Sequence, residues 1–293
     1  MPRIDFDAVA HSVFQSAINL RLDNAGSLIT LVASSEADLP QGIRVDAPND
    51  FSFEIFRAGQ EATCRNDFLR LDSLTIDLRG ARRWKCDLPS LRVDPTNPTF
   101  SAAWISVWKA LNQRQMESNA EIIAENLFHA DGITPSIVAE RTAKALRELL
   151  EATRRYDLTL AASSIRALIG LGSGLTPSGD DLLVGYLAGL WCAVGSQSER
   201  ARFVSELGEV IIQRSSQTNE ISRAFLSHAA QGQVSSLLAN LAEAICMGWN
   251  PDRVLAAAEC AMQVGHTSGM DAVTGLLVGL AAWKSMQLPF ICP

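Results

Sequence analysis

The sequence has little positive charge and no long hydrophobic run, and each absence excludes a class of protein. Its 293 residues include 25 lysines and arginines against 32 acidic residues, and a net charge of −7 argues against a general nucleic-acid binder. The longest uncharged run, Leu182–Ser198, has 17 residues and a polar end, which is typical of a buried helix rather than a membrane span. The first 16 residues include Arg3 and Asp5 and no apolar h-region, so we expect no signal peptide.

Paired cysteine motifs are also missing. The six cysteines show no C-x-x-C pair and no histidine at zinc-site spacing, so we expect reduced, mostly buried thiols in a cytoplasmic protein. Hydrophobic residues make up 47% of the chain and charged residues 19%, which excludes a disordered chain. The length suggests two domains.

The first 95 residues have the pattern of β-structure. Four to six short apolar runs are bounded by Gly, Pro, Asn and Asp, and they include Ala17–Leu22, Ser27–Val32, Phe51–Phe56 and Leu74–Leu78. From residue 99 to 293 the pattern is helical, with eight or nine helices and no convincing strand. The sequence therefore predicts an α+β protein: a small β-rich domain (1–95), either barrel or sandwich, followed by an all-α domain (99–293).

Two segments of the helical part repeat one another. Ser178–Leu190 and Ser268–Leu280 both follow the pattern S-G-x-D-x-x-x-G-x-x-x-G-L. We expect two helices in equivalent roles, packed closely through the glycines that lie one turn apart, namely Gly185, Gly189, Gly275 and Gly279. Close backbone approach would offset the roughly 1 kcal/mol that each glycine costs in a helix. Ser followed by Asp three residues later predicts a capping box, with Asp181 and Asp271 as capping residues.

The first repeat follows a glycine-rich loop, Gly170-Leu-Gly-Ser-Gly-Leu-Thr-Pro177. Free amides at a helix start that glycines approach closely are typical of an anion site. We expect the loop and helix start to bind a phosphate or carboxylate through Gly172, Ser173, Gly174, Thr176, Ser178 and Gly179. Asp180, beside this site, is a candidate general base or Mg²⁺ ligand, although the sequence requires no cofactor.

Two further polar segments are expected to converge on the loop. His266 directly precedes the second repeat and is the other candidate catalytic residue, with Thr267 and Ser268 as candidate substrate contacts. Thr218 and Asn219 lie in a polar interruption between helical patterns and are expected to orient the substrate.

The string GLGSGLTPSGDD at residues 170–181, together with Thr218–Ser222 and Gly265–Asp271, resembles a family typified by the H subunit of the oxamate carbamoyltransferase complex of allantoin catabolism. The resemblance covers most of residues 100–285. It implies a subunit in the interconversion of oxalurate plus phosphate with oxamate plus carbamoyl phosphate. It also implies partner subunits, and we expect a homo-oligomer. The resemblance assigns no catalytic role to individual positions.

Two alternatives to a carbamoyltransferase-type enzyme subunit stay open. Thr176-Pro-Ser-Gly-Asp-Asp181 is similar to the T-G-A-G-D turn of ribokinase-like sugar kinases, in which a glycine-rich helix start binds the anion and the Asp is the base. The surrounding pattern lacks the alternating strands and helices of that fold. The other alternative is a non-catalytic partner subunit, in which the motif only forms an interface.

Overall fold

The computed structural model describes residues 5–23, 27–48, 50–86, 88, 97–128 and 136–283. The chain divides into two compact units, 1–85 and 86–293. The boundary expected near residue 95 lies outside the described residues.

Seven strands of the described N-terminal unit form one sheet. They are β1 (Phe6–Val13), β2 (Ala17–Leu22), β3 (Leu28–Ala33), β4 (Gly42–Val45), β5 (Glu61–Arg65), β6 (Phe68–Leu71) and β7 (Leu74–Asp77). Their order in the sheet is β4-β3-β2-β1-β5-β6-β7, and every pair is antiparallel except β3 with β4. The sheet is barrel-like and nearly closed, so the barrel alternative describes it better than a two-sheet sandwich.

The core of this unit forms from alternate strand residues, as the period of two requires. Ile18 and Leu20 on β2 and Leu31 on β3 are fully buried in it. The prediction of a strand over Phe51–Phe56 is wrong. Residues Phe53–Ile55 form a 3₁₀ turn in which the Ser52 hydroxyl oxygen accepts a hydrogen bond from the Glu54 amide, and Ile55 is exposed.

The second unit is helical throughout its described residues. Its nine helices are α1 (Pro98–Glu117), α2 (Ile137–Arg155), α3 (Leu158–Leu168), α4 (Ser178–Ala193), α5 (Ser198–Arg214), α6 (Glu220–Ala229), α7 (Ser236–Cys246), α8 (Pro251–Met262) and α9 (Ser268–Ala281). The predicted α+β class is therefore confirmed. Within the described ranges, no helix has both the length and the apolar character needed to cross a membrane.

Helices α4 and α9 form the centre of this unit, and both are buried on almost every side. A Cβ added to Gly185 would overlap the Ala272 carbonyl oxygen, and one added to Gly275 would overlap that of Leu182. Gly189 and Gly279 are as close to the backbone of the opposite helix. The predicted seam of facing glycines is therefore confirmed.

The other helices pack around this pair and hydrogen-bond to it. The Trp104 indole on α1 donates to the Leu277 carbonyl oxygen over 2.9 Å, and the hydroxyls of Thr153 on α2 and Tyr186 on α4 lie 2.6 Å apart. These two hydrogen bonds pair buried polar atoms across helices and fix the register of α1 and α2 against the core pair.

Candidate functional site

The starts of α4, α6 and α9 meet at one place in the helical unit. The hydroxyl oxygens of Thr176 and Ser268 lie 2.7 Å apart, which joins the loop before α4 to the start of α9. The Thr218 hydroxyl, before α6, donates to Asp180 Oδ2 over 2.5 Å. The Asn219 amide nitrogen donates to the Leu175 carbonyl oxygen over 2.9 Å. Residues from three distant segments thus form one cluster of polar groups.

The structure places His266 at the edge of this cluster. It lies two residues before Ser268, its side chain is exposed, and its imidazole makes no hydrogen bond to any described residue. The expected convergence is therefore confirmed for Asp180, Thr218 and Asn219. A catalytic role for His266 stays a prediction.

The loop before α4 presents unused amide donors. Gly172 and Gly174 have φ angles of 112° and 101°, in the left-handed region that glycine adopts at little cost. A Cβ on Gly172 would lie 2.8 Å from the Ser178 amide nitrogen, so only glycine fits there without a shift. The backbone N–H groups of residues 172–176 donate to no described residue. Successive free amides around left-handed residues form a concavity of the kind that binds anions.

Asp180 is buried, and each of its two carboxylate oxygens accepts a hydrogen bond. It is 1% exposed, and its Oδ1 accepts a hydrogen bond from the Gly170 amide over 2.8 Å while Oδ2 accepts from Thr218. Burial raises the pKa of this carboxyl, and the hydrogen bonds from Thr218 and Gly170 oppose the rise. These contacts connect the start of the loop to the start of α6. Among the described residues, no group of three or more His, Cys, Asp or Glu side chains is arranged to hold a metal ion.

The predicted capping boxes are wrong by one residue. The N-cap residue of α4 is Pro177 and that of α9 is Thr267, and neither side chain caps its helix. The Asp181 amide donates to the Pro177 carbonyl oxygen over 3.2 Å, which makes Asp181 the fourth helical residue rather than the third. Pro177 has no N–H group for a returning carboxylate to accept from, so a capping box cannot form on α4.

The repeated serines and aspartates interact across the α4–α9 seam. Ser268 on α9 lies close enough to Asp181 on α4 to lower the pKa of its carboxyl, and Ser178 on α4 does the same for Asp271 on α9. Thr176 acts on Asp181 in the same way. The two carboxyl groups are therefore related by the pseudo-two-fold axis that the repeat implies.

For both carboxyl groups, burial raises the pKa by more than these hydroxyl contacts lower it. It raises the pKa of Asp181 well above its usual range and that of Asp271 to about 7. Asp271 is 2% exposed, and one oxygen of each carboxyl is buried without a hydrogen-bond partner among the described residues. Asp271, whose pKa lies near neutrality, can therefore take up or release a proton at neutral pH.

Sequence reasoning missed this crossed pair. The signal was present in the repeat, because identical S-G-x-D starts on two helices that meet at a pseudo-two-fold axis place each serine near the opposite aspartate. The capping-box interpretation assigned the same residues to their own helices.

Family models match both units of the chain. The model for oxamate carbamoyltransferase subunit AllH matches residues 168–280, which contain the three converging helix starts, and the model for the AllH family N-terminal domain matches residues 3–83. No solved structure matches the chain.

Proposed function

The chain belongs to the AllH family of oxamate carbamoyltransferase subunits, and on this basis we propose that its helical unit binds a small oxyanion for carbamoyl transfer. The ligand is the carboxylate of oxamate or the phosphate of carbamoyl phosphate. The observation that carries the proposal is the loop at residues 172–176, whose successive amides are free and lie at the start of α4. Those amides, and the hydroxyls of Thr176 and Ser268 beside them, supply the donors that an oxyanion needs.

In this proposal the three aspartates near the loop have different roles. Asp180 acts as a positioning residue, since its contacts with Gly170 and Thr218 hold the loop against α6. Asp181 and Asp271 handle protons, because transfer of a carbamoyl group to the amide nitrogen of oxamate releases one proton from that nitrogen. A carboxyl group that titrates near neutral pH is suited to accept it. His266 is the second candidate for this step.

The kinase-like alternative gains no support from the fold. Beyond residue 97 the described residues contain no strand, whereas ribokinase-like turns belong to alternating strands and helices. The alternative of a partner subunit has one observation in its favour. Leu175, at the tip of the loop, is 57% exposed, and an aliphatic side chain in that position suits contact with another subunit of the complex. We propose partner subunits and self-association on the same ground as the family assignment.

The test compares two glycines with the same conformation. Gly174 and Gly59 have φ angles of 101° and 90°, and an added Cβ would meet nothing within 4 Å at either. Alanine therefore imposes similar backbone strain at both positions, of about 1–2 kcal/mol. We expect Gly174→Ala to weaken binding of oxamate or phosphate at least tenfold, and to slow carbamoyl transfer by the complex reconstituted with its partner subunits.

Gly59→Ala, in the N-terminal unit, should lose similar stability and keep both activities. Calorimetric titration with oxamate and with phosphate measures the binding, and release of phosphate from carbamoyl phosphate measures the transfer. Equal anion affinity in the two variants and the parent protein would contradict the proposal.

A further inference from the structure

A groove of about 440 Å³ lies between α3 and α5, outside the cluster of helix starts. Its residues follow one face of each helix at helical spacing: Leu158, Thr159, Ala162, Ser163 and Arg166 on α3, and Val210 and Arg214 on α5. The groove thus combines three apolar side chains with two hydroxyl groups and two guanidinium groups.

The two arginines of the groove have no charged partner among the described residues. Neither Arg166 nor Arg214 forms an ion pair or a side-chain hydrogen bond with a described residue, and no acidic residue lines the groove. Six other arginines of the described chain are ion-paired (Arg44, Arg65, Arg79, Arg114, Arg155 and Arg202), whereas Arg57, Arg70 and Arg141, like the two in the groove, form no ion pair with a described residue, so what distinguishes the groove is that two such arginines share it. A guanidinium group offers a planar set of donors that matches an oxyanion. Two of them in one groove of an acidic protein favour an anionic ligand.

The arginines also lie in the last turns of helices whose ends meet. Arg166 is four residues before Gly170, and Arg214 is three residues before Gln217. A Cβ on Gly170 would lie 3.2 Å from the Gln217 carbonyl oxygen, which places the two chain segments in contact there. The groove therefore adjoins the segments that lead into the cluster of helix starts.

A simpler explanation accounts for each arginine alone. A cation in the last turn of a helix interacts favourably with the helix dipole. That effect does not bring two such cations to one groove, where they repel each other, nor does it exclude acidic partners from the lining.

We propose that the α3–α5 groove binds a second small oxyanion through Arg166 and Arg214, with the Thr159 and Ser163 hydroxyls as further donors. The ligand is a phosphate or a short carboxylate. This inference goes beyond the proposed function, because none of the groove residues belongs to the loop at 170–177.

Titration of the labelled full-length chain with inorganic phosphate, followed by amide resonances, tests the groove. We expect saturable shifts at residues 158–166 and 210–214. The double variant Arg166→Gln with Arg214→Gln should weaken phosphate binding at these residues by about tenfold or more, because it removes two charge-assisted sets of hydrogen bonds. A parallel titration with oxamate distinguishes a phosphate from a carboxylate ligand.

Arg202→Gln is the matched control, because Arg202 lies on the same helix as Arg214 but faces Glu206. It should leave the shifts unchanged, and so should Gly174→Ala, which acts on the loop alone. Shifts confined to residues 170–178, or groove shifts that persist in the double variant, would overturn the inference and leave the loop proposal standing. Loss of loop binding in Gly174→Ala with the groove shifts intact would confirm that the two sites are separate.

Discussion

The two copies of the internal repeat differ in the segment that leads into each helix, and not in how the helices pack. In both copies the second helical residue is a glycine that lies against the end of the preceding helix. An added Cβ would overlap the Leu168 carbonyl oxygen at Gly179 and the Ala261 carbonyl oxygen at Gly269. Their amides also make equivalent hydrogen bonds, to Leu171 over 2.8 Å and to Val264 over 2.9 Å. The pseudo-symmetry therefore extends over α3–α4 and α8–α9.

The segments that join α3 to α4 and α8 to α9 do not share this symmetry. Nine residues join Leu168 to Ser178, whereas five join Met262 to Ser268. The longer connection contains three left-handed glycines, Gly170, Gly172 and Gly174, where the shorter one has only Gly265, and only the first copy has Asp180, since Met270 occupies the matching position. Packing accounts for what the copies share. We infer that function resides in what the first copy adds.

The largest expected effect tests the shared part. Gly185→Ala and Gly275→Ala should each destabilise the protein by at least about 3 kcal/mol, because the added methyl meets rigid backbone that has no room to move. Chemical denaturation measures the free energy of unfolding. Gly80→Ala is the control, since its Cβ would meet nothing within 4 Å. Equal costs at the two seam positions would support the pseudo-symmetry, and a cost at Gly185 no greater than at Gly80 would refute it.

The second prediction concerns the crossed carboxyl groups, where the two copies should behave alike. The pKa of Asp271 is about 7 in the folded protein and 3.8 in a model compound, so the folded state holds this proton more tightly than the unfolded state does. Protonation of the Asp271 carboxyl therefore stabilises the folded protein fully below pH 4, and this contribution is lost as the pH rises from about 4 to 7. Its ceiling is about 4 kcal/mol.

Asparagine at this position stays neutral and removes the titration. Asp271→Asn should therefore be more stable than the parent protein at pH 8, and the difference should disappear at pH 4. Urea denaturation at both pH values measures it, and Asp181→Asn should show the same direction because burial raises its pKa as well. If either variant is equally destabilised at both pH values, the carboxyl group that it replaces does not titrate as inferred.

The sequence predicted those parts of the structure that follow from periodic patterns. Strand β2 has the predicted bounds, because its apolar residues alternate toward one buried face. The glycine seam was equally visible, since glycines four residues apart share a helix face. Phe51–Phe56 looked like a strand by alternation. Its buried residues are Phe53 and Phe56, three apart, which is the spacing of a helical turn.

The candidate site was predictable in its members and not in their roles. The helix start fell one residue earlier than the serines suggested, because Pro177 occupies the N-cap position with an extended conformation. Because of this shift, Asp181 and Asp271 do not cap their own helices and instead lie near the serines of the opposite helix. Arg166 and Arg214 carried no sequence signal, since a groove between two helices depends on how the helices cross.

The third prediction tests the residue that only the first copy has. Asp180→Ala removes the acceptor for Gly170 and Thr218 and should cost about 1–3 kcal/mol of stability. In a double-mutant cycle with Thr218→Val the two costs should be non-additive, because both variants break the same contact. Asp180→Asn keeps one oxygen for Gly170 and should lose less. Carbamoyl transfer that falls a hundredfold in Asp180→Asn without loss of stability would instead assign Asp180 the role of general base.

The smallest expected effect concerns the contact that joins the longer connection to the second copy. The hydroxyls of Thr176 and Ser268 lie 2.7 Å apart, so Thr176→Val and Ser268→Ala each remove one hydrogen bond between the loop and α9. The coupling energy in the double-mutant cycle should be about 0.5–1.5 kcal/mol, the net value of a partly buried hydrogen bond. Ser106→Ala provides the control, because the Ser106 hydroxyl bonds to the Ala102 carbonyl oxygen within its own helix. This variant should show no coupling with Thr176→Val.

Anion affinity measured on the same variants separates the two functions of the Thr176 and Ser268 hydroxyls. If they bind the oxyanion as well as each other, each single variant should weaken binding by more than its loss of stability accounts for. If the contact only holds the loop in place, the double variant should bind no more weakly than the worse single variant.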